Sequence, residues 1–407
     1  MRILIISPLF QPEPNHLKGL AFAQELVRRG HEVEVLTCFP NYPGGKIYPG
    51  YRQRWYQRET MGGVAVIRVP IYPDHSNSGF RRILCYLSLA FSTCIPGLFL
   101  ARRPDVVHVY QGSATLALPA MLLRLLRGIP YILDVQDLWP ESVTSSGMLK
   151  PAWMIHPLHM WCNLTYRLAK KIVVLSPGYK TVLADRGVPA AKIEVVYNWC
   201  DERQMPAPAG VCPVAAAADT PPRFTVIYAG NLGRVQALET VVAAAALLDR
   251  ERPDILFLFI GDGIDGERLK ALAKDRNLKN VQFLPRQPAA EVNVMLKKAD
   301  ALLIHLRDDP LCRVGIPQKT QAYLAAGRPI IIGVRGDAAD LVAAAQAGVS
   351  CPPENPELLA AAIKKLHDLP FEEREKMGRN GVEYYTKHLA FNVGVERMRS
   401  IFEETAR

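Results

Sequence analysis

The sequence predicts an α/β protein built from two Rossmann-like domains, each with a parallel sheet covered by helices. With 407 residues, the chain exceeds the size of one ordinary hydrophobic core. Residues 2–37 and 224–249 each begin with a short apolar strand that runs into a helix. Between them, residues 205–222 are rich in Pro and Ala and nearly lack large apolar side chains, which is typical of a linker. We therefore expect one domain over residues 1–200 and another over residues 201–388.

Composition narrows the class of partner. The formal net charge of +10 suits nucleic acid, anionic lipid or phosphorylated ligands. Nucleic acid is disfavoured because there is no RNP signature, zinc-finger spacing or dense basic helix. The 8 cysteines are scattered without a CxxC pair, so we expect reduced thiols in a cytoplasm and no metal site. The N-terminal residues MRILIISP run directly into a strand, without the layout of a signal peptide.

The first domain opens with a strand at 2–7, a helix at 17–29 and a strand at 32–37, a βαβ unit frequent in nucleotide-binding folds. The turn PLFQPEPNHLKG within it lacks the glycine-rich fingerprint of dinucleotide binders. Further strands are predicted at 105–110, 131–135, 170–175 and 193–197, with a helix at 114–126.

A polar segment, QDLWPES, follows the strand at 131–135. Carboxylates just past the carboxyl end of a parallel strand lie where α/β folds bind ligands. Asp137 and Glu141, with His108 at the end of the preceding strand, are therefore expected to meet in one crevice. A histidine at a strand end is often a structural residue instead, and Asp134 is either a helix cap or a buried hydrogen-bond acceptor.

An apolar stretch of 19 residues, ILCYLSLAFSTCIPGLFLA, lies between Arg81-Arg82 and Arg102-Arg103. Its length is just enough to span a bilayer. Pro96 and several hydroxyls interrupt it, however, and a strand follows within a few residues. We expect either a helix pair in the membrane interface, with arginines on anionic headgroups, or a buried domain helix.

The second domain opens with the strand 224–229 and the segment GNLGR. Gly230, Asn231 and Gly233 allow backbone amides to approach a ligand closely, and Arg234 offers a planar cation for phosphate.

A literal GxGxxG, containing Gly261, Asp262 and Gly263, lies between a strand and a helix. It does not open a domain, and the next strand, at 281–284, ends in Pro285-Arg286 without a ribose-binding acid. NADP stays open as an alternative because Arg286 suits a 2′-phosphate.

The most informative stretch is IPQKTQAYLAAGRPIIIGV at 316–334, a short helix followed by a buried strand. Pro317 suits the first helical position, and Gly327 ends the helix. Lys319 lies in the first turn, where free N–H groups already favour an anion. An ammonium there suits a diphosphate, although a plain surface lysine fits the same pattern.

These segments, with PEPNHLKG and FPNYPGGKIYPGYR, resemble the family 4 glycosyltransferases of the GT-B fold. They are most similar to bacterial O-antigen and capsule enzymes, some of them proposed to transfer N-acetylfucosamine. The resemblance spans nearly the whole chain and implies two domains facing across a cleft, with the C-terminal helix 389–407 packed back on the first. It departs from the family at Val314 and Ala322, where two glutamates are usual.

The resemblance implies transfer of a sugar from a nucleotide sugar, expected to be a UDP-sugar, to a polyprenyl-diphosphate-linked acceptor. The setting would be O-antigen, lipopolysaccharide or exopolysaccharide assembly on the cytoplasmic face of the membrane. Such enzymes retain anomeric configuration and need neither metal nor cofactor. Arg234 and Lys319 would stabilise the leaving diphosphate, Arg286 would lie near the base, and Asp137 would orient the acceptor hydroxyl or the sugar. The acceptor residues would be Asn15, His16, Lys18, His108, Asp137 and Glu141, and the donor residues Gly230, Asn231, Gly233, Arg234, Gly261, Asp262, Gly263, Arg286, Pro317 and Lys319.

Two other functions stay open from the sequence. One is a GT-B nucleotide-sugar 2-epimerase, which gives no reason for an apolar stretch flanked by arginines. The other is an inactive partner protein, suggested by Val314 and Ala322.

Overall fold

A computed structural model describes residues 1–76, 78–145, 152–204 and 223–407. The predicted linker at 205–222 lies outside the described residues. The chain divides into two compact units, Met1–Tyr197 with Gly394–Arg407, and Asn198–Val393.

The first unit contains an eight-stranded sheet. Its strands are β1 (Arg2–Ile6), β2 (Glu32–Cys38), β3 (Gln57–Met61), β4 (Val64–Val69), β5 (Val106–Gln111), β6 (Tyr131–Val135), β7 (Lys171–Val174) and β8 (Ile193–Val195). Their spatial order is β3-β4-β2-β1-β5-β6-β7-β8, and all neighbours are parallel except β3 and β4. The β3–β4 hairpin was not predicted, because the sequence QRETM of β3 has no apolar run.

In the described residues up to β8, six α-helices alternate with these strands along the chain. They are α1 (Leu20–Arg28), α2 (Gly79–Ile95), α3 (Leu118–Arg127), α4 (Glu141–Ser145), α5 (Ala152–Leu168) and α6 (Pro177–Asp185). The predicted helix at 114–126 begins as a 3-10 turn at Ala114–Ala117.

Helix α2 contains most of the long apolar stretch, and a π-helical turn at Pro96–Leu100 continues it. The stretch is therefore one continuous segment rather than the predicted helix pair. With 22 residues and a mean hydropathy of 1.9, Gly79–Leu100 is long and apolar enough to cross a membrane. Yet β4 precedes it and β5 follows it in the same sheet, so a true span would divide one sheet between the two sides of a bilayer.

The second unit contains a six-stranded, all-parallel sheet in the order β11-β10-β9-β12-β13-β14. Strands β10 and β13 are buried along their whole length, as expected where helices cover both faces. The strands are β9 (Phe224–Ala229), β10 (Ile255–Ile260), β11 (Val281–Leu284), β12 (Ala301–His305), β13 (Ile330–Gly333) and β14 (Gly348–Ser350). The helices are α7 (Leu238–Glu251), α8 (Gly266–Asp275), α9 (Ala289–Lys298), α10 (Pro310–Val314), α11 (Gln318–Ala326), α12 (Asp337–Ala344), α13 (Pro356–Asp368) and α14 (Phe371–His388).

The last helix, α15 (Phe391–Ala406), belongs to the first unit from Gly394 onward. Its Phe402 ring lies 6.4 Å from that of Phe22 and 5.5 Å from that of His108.

Each sheet has a topological switch point, a central strand whose two neighbours are reached by chain connections that run in opposite directions along the sheet. In the first unit β1 lies between β2 and β5, and in the second β9 lies between β10 and β12. Ligands of open α/β sheets bind beyond the carboxyl ends of the strands at such points. A ligand site is therefore expected at the loops after β1, β5 and β6 in the first unit, and at those after β9, β10 and β12 in the second.

Candidate functional site

Two loops of the second unit pack directly on one another. The register pairs Ala229 of β9 with Ile260 of β10, so the glycines that follow, Gly230 and Gly261, are neighbours. A Cβ on Gly261 would lie 2.0 Å from the Gly230 carbonyl oxygen, and one on Gly263 would lie 2.3 Å from the Leu232 oxygen. The first two glycines of the GxGxxG thus serve contact between loops, which corrects the dinucleotide alternative.

This packing predicts unequal effects of alanine within one motif. Gly261 has a φ of +141°, so Gly261→Ala adds backbone strain to a steric clash and should cost about 2–4 kcal/mol. We expect the melting temperature to fall by about 5 to 15 °C. Gly266→Ala is the matched control, because its Cβ would meet only the Leu232 side chain at 3.5 Å and it begins α8. A dinucleotide fingerprint requires tight packing at that third glycine, so damage by Gly266→Ala would contradict the account.

Lys319 is the second residue of α11, and Pro317 precedes the helix as its cap rather than starting it. The Lys319 Nζ lies 3.2 Å from the position of a Cβ on Gly230 and 3.6 Å from the centroid of the Tyr228 ring. The amine is shielded from solvent and makes no hydrogen bond with any described residue. Burial lowers the pKa of Lys319 to about 7. An unpaired buried amine beside a glycine loop is a ready partner for an anion.

Tyr228, the residue next to last in β9, holds the same loop. Its hydroxyl donates a hydrogen bond of 2.7 Å to the Asn231 carbonyl oxygen. The Asn231 side-chain amide fills the space where Cβ atoms on Gly233 and Gly263 would lie, at 2.6 and 2.7 Å. Lys319 and the segment that contains Gly230, Asn231 and Gly233, predicted from separate stretches, thus meet at one place.

Two predicted arginines are exposed. Arg234 begins a 3-10 turn directly after Gly233, and Arg286 follows β11. Neither guanidinium makes a hydrogen bond or an ion pair with any described residue, although the Arg234 carbonyl oxygen accepts from the Ala237 N–H at 3.2 Å. The pKa of Asp265 is lowered mainly by Arg268 and partly by Arg234. The Arg234 cation therefore lies near the loop between β10 and α8, which contains Asp265. Asp262 is exposed as well, and its carbonyl oxygen accepts from the Leu232 N–H at 2.9 Å.

His305, at the end of β12, was missed by the sequence analysis. Its Nδ1 lies 2.8 Å from the Gln236 carbonyl oxygen, and the Glu354 N–H donates to its Nε2 at 3.3 Å. These partners fix a neutral ring with the proton on Nδ1, and burial lowers the pKa of His305. The ring thereby anchors the turn that carries Arg234. The signal was an apolar strand, ALLIH, that ends in a histidine. The same expectation was wrong for His108, which lies within β5 and not at its end.

The positions that lack the family glutamates are Val314, the last residue of α10, and Ala322, within α11. Two aspartates precede α10 but are already engaged. Asp308 accepts from Arg313 at 2.9 Å and pairs with Arg335, and Asp309 caps α10 through the Leu311 N–H.

In the first unit, two predicted acceptor residues are buried. Lys18 and His108 are 1% and 0% exposed, and both face Asp134, at 3.9 Å from Nζ and 3.1 Å from Nε2. Burial lowers the pKa of both bases, and Lys18 holds the pKa of Asp134 low although burial opposes it. Lys18 and His108 therefore belong to a buried cluster around Asp134, and the prediction that they face an acceptor is wrong. Asp134 is the buried hydrogen-bond acceptor.

Four other acceptor candidates reach the surface. Asp137 is exposed, although protein packed around its carboxylate raises its pKa by desolvation. Glu141 pairs with Arg186. Asn15 shapes the loop before α1, since its side chain donates to the Leu9 oxygen at 2.9 Å and accepts from the Lys18 N–H at 3.1 Å. His16 in the same loop is half-buried.

Glu13 is a further residue that the sequence analysis missed. It is 1% exposed and accepts backbone N–H bonds of 2.8 Å from both Asn41 and Tyr42. Burial raises the pKa of Glu13, an effect opposed by these donors. Glu13 thus connects the segment PEPNHLKG to the segment FPNYPGGKIYPGYR, a contact that the sequence analysis did not predict.

Two Rossmann-like units with ligand loops at their switch points are the architecture of GT-B proteins. Sucrose-phosphate synthase from Thermosynechococcus elongatus superposes with a TM-score of 0.73 at 16% identity, covering 99% of this chain and 98% of that one. Anabaena HepE in complex with UDP and glucose superposes with a TM-score of 0.68 at 13% identity, covering 99% of each chain. These likenesses establish the GT-B fold.

Sequence comparison identifies the family. Residues 20–199 match the glycosyl transferase 4-like domain, and residues 217–384 match the glycosyl transferases group 1. The putative colanic acid biosynthesis glycosyl transferase WcaI of Escherichia coli is 28% identical over 91% of this chain and 93% of its own. The probable glycosyltransferase WbjE of Pseudomonas aeruginosa is 25% identical over 82% and 84%. The chain therefore belongs to the family 4 glycosyltransferases and is a transferase enzyme.

Proposed function

We propose that this enzyme transfers a sugar from a UDP-sugar to a polyprenyl-diphosphate-linked acceptor in the assembly of an envelope polysaccharide. The donor assignment rests on the buried Lys319 amine, which lies beside Gly230 and has no hydrogen-bond partner among the described residues. Such an amine suits an anion such as a diphosphate. A UDP donor is further supported by the complex of HepE with UDP and glucose. A role in polysaccharide assembly is supported by the likeness to WcaI.

In this proposal the second unit stabilises the leaving group. The bond between the anomeric carbon and the diphosphate oxygen breaks, and a bond from the same carbon to the acceptor oxygen forms. The acceptor oxygen attacks the face that the diphosphate leaves, which retains configuration without a protein nucleophile, and the diphosphate takes the acceptor's proton. Lys319 and Arg234 neutralise the charge that develops on the diphosphate, which is usually the largest catalytic term. Asp137 orients the acceptor hydroxyl or the sugar.

The proposal also places the enzyme on the cytoplasmic face of a membrane, where a polyprenyl-linked acceptor lies. One face of the Gly79–Leu100 segment is exposed and apolar at helical spacing, while Cys85, Leu89, Ala90 and Thr93 are buried. We call the exposed face the apolar stripe; it consists of Phe80, Leu84, Leu87, Phe91, Ile95 and Phe99. The exposed cations Arg81, Arg102 and Arg103 flank the stripe. This combination fits insertion to headgroup depth in an anionic bilayer.

Activity is expected to be independent of divalent metal, because Lys319 and Arg234 supply the positive charge on the diphosphate. Transfer should survive removal of free metal by a chelator, measured as product formed before and after treatment. Complete loss on chelation, restored by magnesium or manganese, would contradict this charge assignment.

The proposal is tested by nucleotide release from a panel of UDP-sugars, with and without a membrane extract that supplies acceptors. Release that depends on the extract supports the transferase. Conversion of the donor to another nucleotide sugar without any acceptor would instead indicate a nucleotide-sugar epimerase. Neither release from any donor nor conversion of any donor would indicate an inactive partner protein.

A further inference from the structure

We propose that Tyr228 is a positioning residue of the donor site, whose ring holds the Lys319 ammonium while its hydroxyl fixes loop 230–233. This rests on the proposed function, in which that loop and Lys319 receive the diphosphate.

The first observation is the position of the amine. The Lys319 Nζ lies 3.6 Å from the centroid of the Tyr228 ring, inside the range in which the face of an aromatic ring attracts a cation. No described residue offers this amine a hydrogen-bond acceptor. The ring is therefore the one group, within the described part of the chain, whose contact with the amine favours its charged form. Desolvation works in the opposite direction.

The second observation concerns the other end of the same side chain. The Tyr228 hydroxyl donates to the Asn231 carbonyl oxygen at 2.7 Å and lies 4.0 Å from the position of a Cβ on Gly230. The side chain is 1% exposed and packs beside Phe259, with ring centroids 6.1 Å apart, so it is held in place by the core. The single side chain of Tyr228 thus fixes the position of both the loop 230–233 and the Lys319 amine.

The two contacts can be separated by substitution. Tyr228→Phe keeps the ring and removes the hydroxyl, and should weaken UDP binding about twofold to tenfold, the usual effect of one hydrogen bond. Tyr228→Met keeps most of the volume but removes the ring as well. Its affinity for UDP should fall by a further tenfold to thirtyfold or so, as for loss of a desolvated cation–π contact.

A double-mutant cycle on the full chain, with UDP titrated calorimetrically, distinguishes positioning from plain structural support. In a Lys319→Met background the loss due to the ring should vanish, so that Tyr228→Met and Tyr228→Phe bind UDP equally. The loss due to the hydroxyl should persist there, because it acts through the loop. Purely additive effects of Tyr228→Met and Lys319→Met would overturn the inference, and so would a Tyr228→Phe loss that disappears in the Lys319→Met background.

The same titrations keep the two proposals apart. If Lys319→Met alone binds UDP as tightly as the wild type, or the wild type does not bind UDP, the proposed function fails. If Lys319→Met loses affinity but the cycle is additive, only the role of Tyr228 fails. Should Tyr228→Met not fold, Tyr228→Leu replaces it in the same cycle as the variant without a ring. Tyr228→Phe still tests the hydroxyl, because Phe preserves the packing against Phe259.

Discussion

Lys319→Ala should lower kcat/KM by about ten- to two-hundred-fold, because a charge-assisted hydrogen bond is worth about 1.5–3 kcal/mol and 1.4 kcal/mol is tenfold. The loss should be larger still if negative charge builds up on the diphosphate in a dry site. Steady-state kinetics with saturating acceptor measure it. Lys319→Arg should recover only part of the activity, since a planar guanidinium does not copy a point charge on a flexible stem.

The matched control is Lys274→Ala, which removes an exposed lysine from α8 of the same unit. It should leave kcat/KM unchanged. Wild-type kcat/KM and UDP affinity in Lys319→Ala would show that α11 is only scaffold, and the donor site would then have to lie elsewhere.

Stability should move in the opposite direction from activity. The folded protein lowers the pKa of Lys319 from 10.5 to about 7, so between these values the unfolded chain binds more protons. The charged lysine therefore destabilises the fold below about pH 7, and this cost disappears as the pH rises toward 10.5. Lys319→Met should raise the melting temperature at pH 7 by several degrees, more than the slight gain that the helix dipole alone predicts.

The second large effect is expected at the apolar stripe. Burial of a phenylalanine side chain is worth about 1.5–3 kcal/mol, so Phe91→Gln with Phe99→Gln should weaken vesicle binding at least a hundredfold. Both rings are well exposed, at 65% and 72%, so folding should be unaffected. Sedimentation with vesicles of anionic and of neutral phospholipid measures the partitioning.

The control is Phe371→Gln, which removes an equally exposed phenylalanine from α14 of the second unit. Its vesicle binding should equal that of the wild type. Arg81→Gln, Arg102→Gln and Arg103→Gln should each weaken binding about fivefold on anionic vesicles only, at about 1 kcal/mol per residue. Unchanged binding by the Phe91/Phe99 variant would leave the stripe without a membrane role, and resistance to high salt and alkaline wash would indicate a true span.

Much of the fold was predictable, because its strands are long apolar runs between turn residues. Residues 224–229 and 281–284 were predicted with the bounds they have in β9 and β11. The first helix begins at Leu20 instead of residue 17, because Asn15 organises the turn before it. The unpredicted strand β3 alternates exposed and half-buried side chains at a sheet edge, where no apolar pattern is required.

The sequence predicted which residue types gather in the candidate donor site, but not the positions that depend on three-dimensional contacts. Gly230, Asn231, Gly233 and Lys319 have residue types that suit phosphate, and they do come together. The GxGxxG left a dinucleotide open as an alternative, because the sequence does not show that its first two glycines pack against the loop 230–233. Lys18 and His108 were predicted at an exposed site because residue type alone does not reveal burial. In the structure both lie against Asp134 inside the first unit.

The most direct test of the donor site is proton uptake when UDP binds. At pH 8 free Lys319, with a pKa of about 7, is mostly neutral, and a bound diphosphate should restore its charge. Calorimetry in buffers of different ionisation heat should show uptake of up to about one proton per UDP, with affinity falling as the pH rises above about 7. Lys319→Met should bind more weakly and take up none. The absence of proton uptake by the wild type, or equal uptake by Lys319→Met, would contradict the assignment of Lys319 to the diphosphate.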